Sequence, residues 1–177
     1  GYGPAVATDF INRFQEDVQL MKLAGLTHYR TSINWSRFLT DYENVTVDEE
    51  YAAYYDQLFD ALLANGITPM ICLEHYELPG YLLEKYGGWG SKTVVELFVR
   101  YAEKVFARYH PKVTRWFTFN EPIVVQTRVY LDALRWPYEQ NTSTWMQWNY
   151  HKVLATASVV KRFRELGYPG TVGCILN

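Results

Sequence analysis

The chain has 177 residues, 49% of them apolar, with 17 basic and 19 acidic side chains and a net charge of −2. Lys and Arg are scattered rather than gathered in a stripe, which argues against a nucleic-acid surface, and no apolar run reaches the roughly 18–20 residues of a membrane helix. The opening GYGPAVATDF has none of the basic, apolar and small-residue regions of a secretory signal, and its lack of Met marks the chain as processed, trimmed or excerpted.

Taken in order, the segments alternate between helical and strand-like. Residues 9–24 place Phe10, Phe14, Val18 and Met21 at three- and four-residue spacing before Gly25, which predicts an amphipathic helix with a glycine stop. Residues 26–35, LTHYRTSINW, mix β-branched and aromatic side chains and read as a strand. Asp48 can cap a second helix whose stripe is Tyr51, Tyr55, Leu58 and Leu62, ended by Asn65-Gly66. A strand is expected at 67–75, and a helix at 92–109 with Val94, Phe98, Tyr101 and Val105 on one face. A strand at 113–121, a long helix at 144–166 ended by Gly167, and a strand at 171–177 complete the pattern.

Near-continuously apolar strands separated by helices predict a parallel sheet covered by helices. Two architectures fit, a doubly wound open sheet and a (β/α)8 barrel. No glycine-rich phosphate loop follows any strand, which weakens the dinucleotide-binding version. Polar residues stand instead at the strand ends: Asn34 beside Trp35, His75, Asn120 with Glu121, and Asn177. Barrel enzymes build their sites there. The stretches 36–47, 76–91 and 122–143 are long for idle loops.

Glu121, after Trp116, Phe117 and Phe119, is expected to be partly desolvated, which suits a general acid; the alternative is a loop carboxylate capping nearby backbone. Asn120 could bind a substrate hydroxyl. His75 could do the same, or be a satisfied structural histidine. Arg30 lies in mid-strand, and a buried Arg needs a facing carboxylate, for which Glu121 and Glu74 are the candidates. The four histidines, 28, 75, 110 and 151, share no ligand spacing, so no metal is expected, and nothing suggests a cofactor. No Gly-x-Ser-x-Gly elbow supports a serine nucleophile. Cys72 and Cys174 lie in apolar runs and suggest buried reduced thiols in a cytoplasmic protein. The sequons at Asn44 and Asn141 carry little weight without a secretion signal. The 17% aromatic content fits either a large core or a sugar site.

The segments YRTSINWSR (29–37), LEHYELPGYLLEKYGGW (73–89), FVRYAEKVFARY (98–109) and WFTFNEP (116–122) together resemble glycoside hydrolase family 1. RTSINWSRFL, the acidic VDEE and FNEPIVV are most similar to its bacterial 6-phospho-β-glucosidase branch. The resemblance spans essentially the whole chain. It implies a (β/α)8 barrel that cleaves β-glucosides or 6-phospho-β-glucosides with retention. It further implies Glu121 as acid/base, Asn120 and His75 on the sugar 2- and 3-hydroxyls, and Arg30 beside the nucleophilic carboxylate. Tyr76 stands where the family usually has Trp or Phe, keeping an aromatic wall, and Trp35 and Trp116 read as core or wall residues.

Retaining hydrolysis needs a second carboxylate about 5–5.5 Å from the first. In the family it lies in a Thr-Glu-Asn-Gly-like segment on the seventh strand, and no such segment occurs here. The chain corresponds to strands two to five, without the first strand and its sugar-binding Gln, and without the Ser, Lys and Tyr that grip a 6-phosphate. Glu74 and Glu77 are poor substitutes, because strand alternation turns Glu74 away from His75 and Glu77 has a structural place in the family. An incomplete sheet would expose two edges, so its partner is expected to be the remainder of the barrel or a second copy. Two other readings stand beside this one: a non-catalytic half-barrel that binds sugar or a partner, and an aldolase-like barrel, for which no strand-centred lysine exists. Purified 1–177 is expected to leave an aryl 6-phospho-β-glucoside uncleaved; turnover that disappears in Glu121→Gln would overturn this.

Overall fold

The computed structural model describes residues 7–135 and 137–176. Helix α1 (Phe10–Leu23) buries Phe14 and Val18, and Gly25 at φ 78° turns the chain into β1 (His28–Ser32). The strand is shorter than 26–35. The Asn34 side chain accepts the Arg37 N–H at 3.1 Å and starts a one-turn helix, α2 (Trp35–Phe38), which carries Trp35 into the core. The next residues form an antiparallel hairpin, β2 (Leu39–Asp41) with β3 (Thr46–Val47). Asp48 caps α3 (Glu49–Ala64) by accepting the Tyr51 N–H at 3.0 Å, and the stripe of Tyr55, Leu58 and Leu62 is buried as its spacing predicts.

Strand β4 (Thr68–Glu74) follows, and the stretch to the next long helix contains α4 (Gly80–Tyr86) and a 3-10 turn at Gly88–Gly90. Helix α5 (Lys92–Tyr109) buries Val94, Phe98, Tyr101 and Val105. After β5 (Arg115–Asn120) comes a short helix, α6 (Val124–Gln126), which runs into a π-helical turn at Thr127–Leu131. The long helix α7 (Thr142–Leu166) starts two residues earlier than its apolar pattern, because Asn141 accepts the Thr144 N–H at 3.0 Å. Asn141, the sequon asparagine, is therefore a helix cap. Gly170, at φ 122°, leads into β6 (Thr171–Ile175); a Cβ there would meet the Thr114 carbonyl oxygen at 2.2 Å. Asn177, expected at this strand's end, lies outside the described residues.

The strands make one parallel sheet in the order β1-β4-β5-β6, with Arg30 opposite Met70, Cys72 opposite Phe117, and Trp116 opposite Val172. Helices alternate with these strands, giving a partial (β/α)8 barrel in which β1 and β6 form the sheet's two edges. The core lies between the sheet and helices α3, α5 and α7, and holds Trp35, Trp89, Trp116, Phe98 and Phe119. Trp35 stacks on Tyr101 with centroids 5.3 Å apart, and Phe106 meets Trp116 edge-on at 5.0 Å. Both tryptophans are core residues, as the sequence suggested. Of the two thiols, Cys72 is buried, whereas Cys174 is only half-buried because it lies on edge strand β6.

Tyr101 ties the core to the rim. Its fully buried hydroxyl lies 3.2 Å from the Ile33 carbonyl oxygen and 3.1 Å from that of Leu73, just beyond β1 and within β4. Tyr101→Phe would leave both carbonyls short of a donor and is expected to cost about 1–2 kcal/mol. In a chain of this size that corresponds to a fall of roughly 3–6 °C in Tm. An unchanged Tm would show that water replaces the phenol.

Candidate active site

The C-terminal ends of β1, β4 and β5 lie side by side, because the strands are parallel and adjacent. A cleft of about 430 Å³ opens there, lined by Arg30, Ser32, Asn34, His75, Tyr76 and Glu77. Asn120, the last residue of β5, is almost fully buried beside it and joins two elements of the rim. Its Oδ1 accepts from Arg30 Nη1 at 2.9 Å, and its Nδ2 donates to the Tyr76 hydroxyl at 3.0 Å. The Tyr76 hydroxyl donates to Glu121 Oε2. Arg30, Asn120, Tyr76 and Glu121 thus form a single chain of hydrogen bonds in which every donor points toward the carboxylate.

Tyr76 and Glu121 both have left-handed backbone, at φ 77° and 44°. Such non-glycine positions cost about 1–3 kcal/mol each and persist where surrounding bonds fix them. The Glu121 N–H donates to the Ile175 carbonyl at 2.8 Å, and its own carbonyl accepts from Val124 N–H at 3.1 Å. The Tyr76 N–H donates to Glu74 Oε1 at 3.1 Å. Burial, with a smaller effect from donation to Glu121, pushes the Tyr76 phenol up to about 12, so it remains a donor.

His75 Nδ1 lies 3.1 Å from Ser32 Oγ. Burial, followed by the Arg30 charge, lowers its pKa, which favours a neutral ring able to donate to or accept from a hydroxyl. Glu77 accepts the His75 N–H at 3.0 Å, and burial, then the Glu74 charge, pushes its carboxyl up to about 7.

Neither candidate carboxylate of this chain is paired with Arg30. Arg30 is exposed rather than buried, since the face of β1 that carries it is open. Among the described residues it joins no ion pair and instead donates to Asn120. Neither proposed partner faces it: Glu121 is held by Tyr76, and Glu74 lies behind the sheet against Lys152 of α7. Glu74 and His75 do meet different neighbours: Glu74 meets Lys152 and the Tyr76 N–H, whereas His75 Nδ1 meets Ser32 Oγ. The structure therefore brings Arg30, His75, Asn120 and Glu121 to one rim. Sequence reading treated Tyr76 as a wall and missed its phenol as the link between them, although a Tyr where Trp or Phe is usual was the available signal. Ser32 and Lys152 gave no signal.

Four parallel strands, with polar groups gathered at the C-terminal ends of β1, β4 and β5, define a segment of a (β/α)8 barrel with an enzyme-type rim. The sequence model of Glycosyl hydrolase family 1 matches residues 1–177, and the chain belongs to that family. A 6-phospho-beta-glucosidase of Dickeya chrysanthemi is 37% identical over 97% of this chain and 37% of its own length. The family 1 β-glucosidase of Thermotoga maritima superposes with a TM-score of 0.88 at 31% identity, over 96% of this chain and 38% of that one. A mutant rice β-glucosidase in a covalent complex with Glc superposes with a TM-score of 0.86 at 33% identity, over 94% and 38% of the two chains. The chain thus spans little more than a third of the length of these relatives.

A carboxyl raised above its ordinary value favours the fold while protonated. Glu77's contribution is complete below its ordinary value of 4.5 and is lost as pH rises through about 7. The lowered pKa of His75 works the opposite way, adding stability above 6.5 that is lost as pH falls. Comparing Tm–pH profiles of the parent and Glu77→Gln isolates the first effect. The parent is expected to lose stability relative to the variant across that window, and parallel profiles would contradict it.

Proposed function

We propose that this chain supplies strands two to five, the proton donor and part of the glycone site of a retaining β-glycosidase. Its substrates are proposed to be 6-phospho-β-glucosides. The observation that carries the reading is the convergence of Glu121, Asn120, His75 and Arg30 on one rim. Family membership and the name of the Dickeya relative support the chemistry and the phosphorylated sugar. The covalent glucose complex of the rice relative supports retention through a glycosyl-enzyme ester.

In the mechanism, Glu121 protonates the glycosidic oxygen as its bond to the anomeric carbon breaks. A carboxylate from outside residues 1–177 attacks that carbon from the opposite face, forming an ester and releasing the alcohol. Glu121, now ionised, takes a proton from water, which attacks the anomeric carbon and frees the carboxylate. Asn120 keeps one N–H for a sugar hydroxyl, since its other amide hydrogen is taken by Tyr76, and its oxygen, which accepts from Arg30, keeps one lone pair. Neutral His75 binds a second hydroxyl. The exposed Arg30 guanidinium faces the space where the attacking carboxylate would lie, and its charge would keep that group ionised. Glu74, buried and paired behind the sheet, cannot serve as that carboxylate.

The rest of the barrel would pair with edges β1 and β6 and cover the apolar groove between α7 and β6, where Val153 and Leu176 are exposed. Among the described residues no helix is long and apolar enough to cross a membrane. Two unpaired thiols favour a reducing cytoplasm. In the longest native polypeptide carrying these residues, Glu121→Gln is expected to lower hydrolysis of alkyl 6-phospho-β-glucosides about 10²–10⁴-fold. Nitrophenyl substrates should lose less, because their leaving groups need little protonation. Equal losses on both, or preference of the parent for unphosphorylated glucoside, would contradict the acid role or the substrate respectively.

A further inference from the structure

Glu74 and Lys152 are a buried ion pair that the mechanism above does not use. Each side chain is 2% exposed, and Lys152 Nζ lies 3.6 Å from Glu74 Oε2. The ammonium also sits over the rings of Phe119 and Trp89, 5.2 and 5.7 Å from their centroids. Removing two charges from water is costly, and apolar residues of similar volume commonly serve stability as well or better. Stability alone is therefore a poor reason for this pair. Its geometry supplies another. The second oxygen, Oε1, accepts the Tyr76 N–H at 3.1 Å and so holds the left-handed residue whose phenol meets Glu121 and Asn120.

We infer that Lys152 and Glu74 are positioning residues, acting from behind the sheet through the Tyr76 backbone to hold the phenol on the Glu121 carboxylate. The inference rests on the reading of Glu121 as acid/base. Lys152 anchors the Glu74 carboxylate from behind, Glu74 fixes the Tyr76 amide, and the phenol sets which Glu121 oxygen is occupied and which is free for substrate. Because donation runs from Arg30 through Asn120 and Tyr76 to Glu121, each bond polarises the next. Slack at Tyr76 would therefore loosen Asn120 as well as Glu121.

Two double variants separate positioning from packing. Glu74→Gln with Lys152→Met removes both charges but keeps an acceptor oxygen for the Tyr76 N–H. Glu74→Leu with Lys152→Met removes the acceptor too. In the full chain, the Tyr76 phenol followed by ¹³C NMR is expected to titrate near 12 in the parent, lower in the Gln/Met variant, and lowest, nearer its ordinary 10, in the Leu/Met variant. In the longest native polypeptide, Leu/Met and Tyr76→Phe should each lower kcat about tenfold with little change in KM, while Gln/Met, which keeps the acceptor but loses the Lys152 anchor, falls between them and the parent. A Leu/Met variant that folds and matches the parent in both measurements would overturn the inference, leaving the pair as packing. Should Leu/Met fail to fold, amide exchange in the unaltered chain decides: Tyr76 N–H is expected to be protected, and exchange at the unstructured rate would overturn it. If the phenol shifts as expected but Glu121→Gln retains full activity, the acid/base reading fails while the positional coupling stands.

Discussion

Parallel pairing of β1, β4 and β5 is the constraint on which the site depends. In an antiparallel sheet neighbouring strands finish on opposite edges, whereas here Ser32, Glu74 and Asn120 all finish on one. β4 lies between the other two, so anything that moves its end moves both sides of the cleft. The chain of hydrogen bonds from Arg30 through Asn120 and Tyr76 to Glu121 crosses from β1 to β5 and back to the residues just after β4. It can exist only in that alignment. The buried Tyr101 hydroxyl reinforces the same edge from within the core.

The distribution of charge follows from which face of the sheet each group occupies. The helix-covered face is closed, so Glu74 there requires Lys152. The opposite face is open, so Arg30 remains an exposed cation with an amide for a neighbour rather than an acid. In the proposed enzyme the remaining strands would enclose that face, and a carboxylate entering it would meet a guanidinium already oriented by Asn120. The two faces thus contribute differently: one holds the residues that set geometry, the other the groups that would touch substrate.

Much of the fold was readable from periodicity and punctuation. The stripes of α3 and α5, the Asp48 cap and the stop at Gly167 each followed from local chemistry that the tertiary structure did not override. The end of β5 was also readable, since Asn-Glu-Pro after an aromatic run marks where a strand must stop, whereas β1 ends at Ser32, three residues before its expected end. Elements shorter than about two turns were not, because α2, α4 and α6 have too few residues for a periodic signal. Within the site, residue types pointed to Glu121, Asn120 and His75, but pairing could not be read. Mid-strand Arg suggested burial beside a carboxylate, but the face of β1 that carries Arg30 is open, and its neighbour within this chain is the Asn120 amide. The partnership of Glu74 with Lys152 joins residues far apart in sequence, and nothing local to either one names the other.

In the proposed enzyme the carboxyl at position 121 works opposite a second carboxylate, so that the sugar passes through a covalent ester. The most direct measurement is the anomeric form of the sugar first released from a 6-phospho-β-glucoside by the longest native polypeptide that carries this chain, followed by ¹H NMR before mutarotation. Two displacements restore the configuration, so the β-anomer should appear first. First release of the α-anomer would mean a single displacement by water, and would contradict the account.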